Sequence, residues 1–170
     1  DGLEPALLPA VEKLSNVAIQ KVVSDWWVNM AFNFGGQGPA SKPLPALQDL
    51  QVRKAIEMAI DKQKIVDTVY PGAASPGETV VRPLSVYWHL DVPDDKVVKY
   101  DPQAANALLD QAGYPKGADG VRTDPKTGQP LVMRMPTSDD TQGSTAVGQL
   151  IAGFLKQIGI TVKVQPVTAG

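Results

Sequence analysis

The stretch that decides the fold is Leu131–Val167, LVMRMPTSDDTQGSTAVGQLIAGFLKQIGITVKVQPV. Leu131 to Met135 reads as a short extended run. Val147, Leu150, Ile151, Phe154, Leu155 and Ile158 then recur at helical spacing and define one apolar stripe. Gly159 stops that helix, because a left-handed residue ends helices at low cost. From Ile160 to Val167 the pattern changes to period two, with Ile160, Val162 and Val164 alternating against Thr161, Lys163 and Gln165. Strand, helix and strand with short joins predict a parallel pair and a right-handed crossover.

Upstream the same logic yields further helices. Asp101-Pro102 is a strong start, a capping carboxylate followed by the one helical position that suits proline. Ala104, Ala105, Leu108, Leu109 and Ala112 supply the stripe and Gly113 the stop. A second helix runs from about Asp49, its predicted N-cap, to Ile60, with Val52, Ala55, Ile56 and Ala59 inward. Arg53 lies among these buried positions and is expected to bridge to a carbonyl or carboxylate. Asp61 is read as the cap of a shorter helix, Lys62 to Val69, that turns Ile65, Val66 and Val69 inward and ends at Pro71-Gly72. Leu3 to Leu14 has the spacing of another short helix, with Pro5 in its first turn.

Two strands are expected before these helices, Val17–Val23 and Trp27–Asn33, with Ser24-Asp25 as the turn between them. In the second, Val28, Met30 and Phe32 share a face. Gly35 to Pro45 is a loop. Ala73 to Asp95 is irregular and long, and segments of that kind are commonly functional. Tyr114 to Pro130 is turn-rich, with Asp119-Gly120 and Thr127-Gly128 marking tight turns around a small hairpin. The fold class expected is therefore α/β, a mixed sheet flanked by helices.

Composition narrows the function. Sixteen basic against eighteen acidic residues leave a formal charge of −2, without the basic footprint of a nucleic-acid-binding protein. No apolar run is long enough for a membrane-spanning helix. With no cysteine, disulfides, thiolate metal sites and a cysteine nucleophile are excluded. Asp1 to Pro5 lacks the charged and apolar regions of a signal peptide, so a cytoplasmic protein and a mature or excised piece both fit. His89 is the one histidine, too few for a typical zinc site, and reads as a loop residue beside Asp91, Asp94 and Asp95. Asp119 to Asp124 lacks the ligand spacing of a calcium loop. The glycines at 35, 36 and 38 precede proline and not a helix, which removes a phosphate-loop reading. No nucleophile, base and orienting acid come together.

Three segments in order resemble a known family. These are Phe32-Asn33 with the run from Asp49 to Val66 (DLQVRKAIEMAIDKQKIV), Tyr100 to Tyr114 (YDPQAANALLDQAGY), and Gly128 to Leu131 with the helix ending in Leu155 to Val162 (LKQIGITV). They resemble the peptide- and nickel-binding, family 5 type of extracellular solute-binding protein that serves ABC importers. The resemblance covers the chain from about Val17. It implies a type II periplasmic-binding-protein fold, of which residues 1–170 form a single lobe, the C-terminal one, with the other lobe absent. It implies capture of a peptide or other small solute, docking on ABC permease subunits, and a place outside the cytoplasm, in the periplasm or as a cell-surface lipoprotein. It implies neither catalysis nor a cofactor.

The residues carrying the resemblance are scaffold. Ligand contacts are expected instead from Asn33 at a strand end, from Arg82, which suits a ligand carboxylate, and from Tyr87 and Trp88 in the irregular segment. Aromatic walls suit side chains of varied size. The competing reading of Trp26, Trp27, Tyr87 and Trp88 is as ordinary core aromatics. Two other functional classes stay open at this level: a small standalone α/β enzyme, and an interaction module that uses the aromatic loop.

Overall fold

A computed structural model describes residue 3 and residues 7–20, 26–33 and 43–168. The chain forms two compact units. One comprises Asp1–Asn29 and Lys62–Val97, the other Met30–Asp61 and Val98–Gly170.

The second unit holds the regular core. It contains helix α2 (Leu50–Ala59), helix α4 (Pro102–Gln111), strand β1 (Val132–Ser138), helix α5 (Ser144–Gln157) and strand β2 (Thr161–Val167). A 3-10 turn at Pro45–Gln48 leads into α2. Caps fix the helix starts as the sequence predicts. The Asp49 carboxylate accepts from the Gln51 amide at 2.8 Å, and that of Asp101 from the Ala104 amide at 2.8 Å. Each such cap contributes about 1 kcal/mol. Val52, Ala55, Ile56 and Ala59 of α2 meet Ala105 and Leu109 of α4, all buried. The Asp101 amide donates to the Met58 carbonyl at 2.8 Å, which ties the start of α4 to the end of α2. Arg53 does bridge to carbonyls: its Nη1 donates to Leu47 at 2.8 Å and to Gln48 at 3.0 Å.

β1 and β2 run parallel, in a register from Val132↔Thr161 to Ser138↔Val167. α5 packs on both, and Gly148 lies against them. A Cβ there would stand 2.8 Å from Thr137 Cγ2 and 3.2 Å from Val164 Cγ1, whereas a Cβ on Gly153 of the same helix would meet nothing within 4 Å. The two glycines therefore respond oppositely to alanine. Gly153→Ala is expected to raise stability by about 0.5–1 kcal/mol through helix propensity. Gly148→Ala is expected to lose about 1–3 kcal/mol to overpacking, more than propensity returns. Urea denaturation of the two variants reads the difference in sign.

A buried arginine joins the pieces of this unit. Arg122 is 1% exposed. Its Nε donates to the Ile158 carbonyl at 2.8 Å, its Nη1 to Asp110 Oδ1 at 2.6 Å and to the Tyr114 carbonyl, and its Nη2 to Asn106 Oδ1 at 2.9 Å and the Asn106 carbonyl at 3.2 Å. One side chain thus holds α4, the turn-rich segment and the end of α5. The Ile158 carbonyl is one of those a helix C-terminus leaves unpaired, and a cation is favoured there. The expected hairpin is present in reduced form, as two isolated antiparallel bridges, Lys116↔Arg122 and Thr123↔Pro130. The Asp119 carboxylate accepts from its own loop at the Val121 amide, 3.0 Å, and Asp124 from the Lys126 amide, 2.8 Å, as turn residues do.

Tyr114, buried just after α4, donates its hydroxyl to Asp49 Oδ2 at 3.1 Å, so one carboxylate serves both the α2 cap and this phenol. Burial first, then the bond to Asp49 and the charges of Asp49 and Asp124, push the Tyr114 phenol well above its ordinary value of 10.0. In the unfolded chain the phenol ionises from about pH 10, while the folded state keeps its proton. Above that pH the native state holds the extra proton, so stability falls by up to about 1.4 kcal/mol per pH unit. The advantage of Tyr114 over Tyr114→Phe should be fully present below pH 10 and shrink as pH rises further. Paired urea denaturations across this range check it.

The first unit is less regular. It holds helix α1 (Leu8–Val11) and helix α3 (Lys62–Val69). α1 has Pro9 in its first turn, and Leu3, Leu7 and Leu14 are exposed; residues 4–6, with the Pro5 of the expected first turn, lie outside the described residues. α3 keeps its expected span, but Ile65, Val66 and Val69 are half-buried and none of its residues is fully buried. The segment 73–95 is irregular, as expected.

The strands expected over 17–23 and 27–33 do not form in their described parts. Residues 17–20 and 26–33 pair with no strand, and the Ser24-Asp25 turn lies outside the described residues. Alternation is visible only from Asn29 onward: Met30 and Phe32 are half-buried and Asn29, Ala31 and Asn33 exposed, while Val28, expected on the same face as Met30 and Phe32, is exposed. Period two records which way side chains face, but a strand also needs a ladder partner from elsewhere in the chain. The α/β class holds. Among the described residues the regular ladder is parallel, and antiparallel pairing is confined to isolated bridges.

Candidate ligand-binding site

Three of the four candidate residues belong to one pinned loop of the first unit. The Ser85 amide donates to the Arg82 carbonyl at 2.9 Å. The Ser85 carbonyl in turn accepts from the amides of Trp88 and His89, each at 2.8 Å. His89 closes the loop from its far side, with Nδ1 2.6 Å from the Val81 carbonyl. A carbonyl can only accept, so Nδ1 carries the hydrogen. The Thr79 hydroxyl donates to the same carbonyl at 2.7 Å, and His89 Nε2 lies 3.4 Å from the exposed carboxylate of Asp91. The histidine is thus a loop residue beside an acid. Among the described residues no group of three or more His, Cys, Asp or Glu side chains could hold a metal ion.

This internal bonding displays the aromatics outward. Tyr87 is 92% and Trp88 81% exposed, and Val80, Val86 and Leu90 are exposed beside them. Trp26 and Trp27, at 58% and 46%, are also exposed. The core reading of these aromatics is therefore overturned within this chain. Arg82 is half-buried at the base of the loop. The loop's backbone bonds and the His89 ring together hold Tyr87 and Trp88 outward. Asn33 is exposed and belongs to the second unit. Arg82, Tyr87 and Trp88 are brought into one loop, and Asn33 belongs to the other unit.

Residues 1–170 match the family described as "Bacterial extracellular solute-binding proteins, family 5 Middle". The chain belongs to this family. It is 33% identical over 116 residues to the nickel-binding periplasmic protein of Escherichia coli (strain K12), covering 67% of this chain and 21% of that protein. To the dipeptide-binding protein of the same organism it is 38% identical over 71 residues, 42% of this chain and 13% of that protein. Among solved structures it is similar to NikZ from Campylobacter jejuni in complex with Ni(L-His), with a TM-score of 0.63 and 28% identity over 75% of this chain and 24% of that chain. The chain thus spans about a fifth of the length of the nickel-binding relative. Its fold is that of a lobe of these family 5 solute-binding proteins.

Proposed function

We propose that residues 1–170 form one lobe, the C-terminal one, of a longer receptor that captures a peptide or other small solute outside the membrane and delivers it to ABC permease subunits. The observation that carries this reading is the family match across all 170 residues. The family and the named relatives are binding proteins, so the role is capture, and the standalone enzyme and the interaction module recede. Peptides are favoured within the class by the loop: Tyr87 and Trp88 are displayed for contact with side chains of varied size, and Arg82 suits a terminal carboxylate. Asn33 is assigned to hydrogen bonding with an extended ligand backbone. No cofactor is required. The receptor acts in the periplasm or at the cell surface, where a lipid anchor would hold it.

Capture of this kind works by a population shift. Ligand favours the closed arrangement of two lobes, and the closed form is what a permease recognises. A single lobe supplies one wall, so it binds weakly. Isothermal titration tests the reading on both counts. The longer receptor is expected to bind a short peptide, and Trp88→Ala or Arg82→Ala to weaken it by about tenfold or more, as anchor residues do. Micromolar or tighter peptide binding by residues 1–170 alone would contradict the one-wall account, and unchanged affinity in both variants would remove the site assignment.

A further inference from the structure

The loop that displays Tyr87 and Trp88 also carries the chain's one histidine, and the two ring nitrogens of His89 face different chemistry. Nδ1 stands 2.6 Å from the Val81 carbonyl, an oxygen that also takes the Thr79 hydroxyl at 2.7 Å. With the hydrogen on Nδ1, the neutral ring has a lone pair on Nε2. Nε2 lies 3.4 Å from Oδ1 of Asp91, and an ionised carboxylate only accepts. Two acceptors side by side gain nothing from each other, whereas a cation between them satisfies both. The ring is set firmly for this, 18% exposed and tied to Val81, while the Asp91 side chain reaches it from solvent.

The geometry says which cation fits. Donors about 2.0–2.2 Å from one ion at a tetrahedral angle stand about 3.3–3.6 Å apart. An octahedral magnesium ion, at about 2.0–2.1 Å, would bring neighbouring donors to about 2.8–3.0 Å. The separation of 3.4 Å matches the tetrahedral case. An imidazole nitrogen beside a carboxylate oxygen suits zinc and its late first-row neighbours, whereas magnesium and calcium take oxygen ligands. The bond from Nδ1 to Val81 belongs to the same pattern. Ligating histidines almost always give their second N–H to a carbonyl or carboxylate, which fixes the tautomer and makes the other nitrogen a better donor.

We propose that His89 Nε2 and Asp91 Oδ1 form a two-donor seat for a divalent ion of the zinc type, with the remaining coordination positions left to water. Such a site is open, unlike the closed four-ligand centres that one histidine cannot build. The ion ties Asp91 to a ring already tied to Val81, so it adds a fastening to the loop that carries Tyr87 and Trp88. The seat needs no solute, and it stands or falls apart from the receptor reading.

Zinc titration of the full-length polypeptide tests the seat, at about pH 7.5 because protons compete for these donors. Two variants each remove one donor. His89→Asn keeps a side-chain N–H for the Val81 carbonyl and deletes Nε2. Asp91→Asn changes a fully exposed side chain and so leaves the fold intact. The expected result is a bound zinc ion whose affinity falls by about tenfold or more in each variant, since losing even a ligand's hydrogen-bond partner costs that much. Asp94→Asn, another exposed acid of this segment, should bind zinc as the wild type does. Zinc should also slow hydrogen exchange at the Trp88 and His89 amides, which donate to the Ser85 carbonyl, in the wild type and not in Asp91→Asn. Unchanged affinity in either donor variant, an equal loss in Asp94→Asn, or exchange that zinc leaves as it was would each mean an adventitious ion only and overturn the seat.

Discussion

Replacing Arg122 with leucine should remove about 3–5 kcal/mol of stability, a large share of the roughly 5–15 kcal/mol that holds a domain together. The reason is not the ion pair. Asp110 is largely solvent-exposed, its side chain 63% accessible, and in water it loses little when its partner is removed. The cost comes from the carbonyls. Arg122 donates to the main chain of Tyr114, Ile158 and Asn106, and its own side chain is almost wholly buried. Leucine leaves the Tyr114 and Ile158 carbonyls without these donors, while the Asn106 carbonyl keeps its bond within α4, and each buried unsatisfied group costs about 1–3 kcal/mol. The control is Asp110→Asn, expected to cost less than about 1 kcal/mol because it removes only the exposed end of the network. Equilibrium urea denaturation of both variants separates the two accounts. A large loss in Asp110→Asn with a small one in Arg122→Leu would show that charge pairing, and not carbonyl satisfaction, holds this junction.

The Arg122 network also marks where sequence reasoning stops. The caps at Asp49 and Asp101 and the stops at Gly113 and Gly159 were legible because each is a local contract between a residue and backbone a few positions away. The parallel pair was legible because strand, helix and strand with short joins permit few arrangements. Arg122 was not, because its partners lie between 8 and 36 positions away and nothing in its neighbourhood announces burial. The same holds for residues 17–20 and 26–33, where alternation predicts parts of two strands although pairing is decided by distant chain. At the candidate site, the irregularity of 73–95 and the grouping of Arg82, Tyr87 and Trp88 were visible in the sequence. The exposure of the aromatics was not, since an apolar loop residue reads equally as core or as contact surface until the packing around it is known.

Gly159 connects the local and the distant. It follows the end of α5 with φ +81°, in the left-handed region, as Gly113 follows α4 with φ +84°. By local rules the two are equivalent stops, and alanine at either pays the left-handed penalty of about 1–2 kcal/mol. Their surroundings differ. A Cβ on Gly113 would meet nothing within 4 Å, whereas one on Gly159 would stand 2.7 Å from Arg122 Cγ and 3.0 Å from the Gly120 carbonyl. The Arg122 side chain cannot swing aside without giving up its carbonyl bonds, and the Gly120 contact is backbone. Gly159→Ala should therefore cost about 1–3 kcal/mol more than Gly113→Ala, the range for overpacking a closed site. In Arg122→Leu the guanidinium no longer fixes the side chain, so part of that excess should vanish in the double variant, as coupling between contacting residues requires. A double-mutant cycle on Gly159 and Arg122 measures this directly. Strict additivity would mean that the Gly120 carbonyl alone sets the cost, and that the arginine packs against the α5 stop without being braced by it.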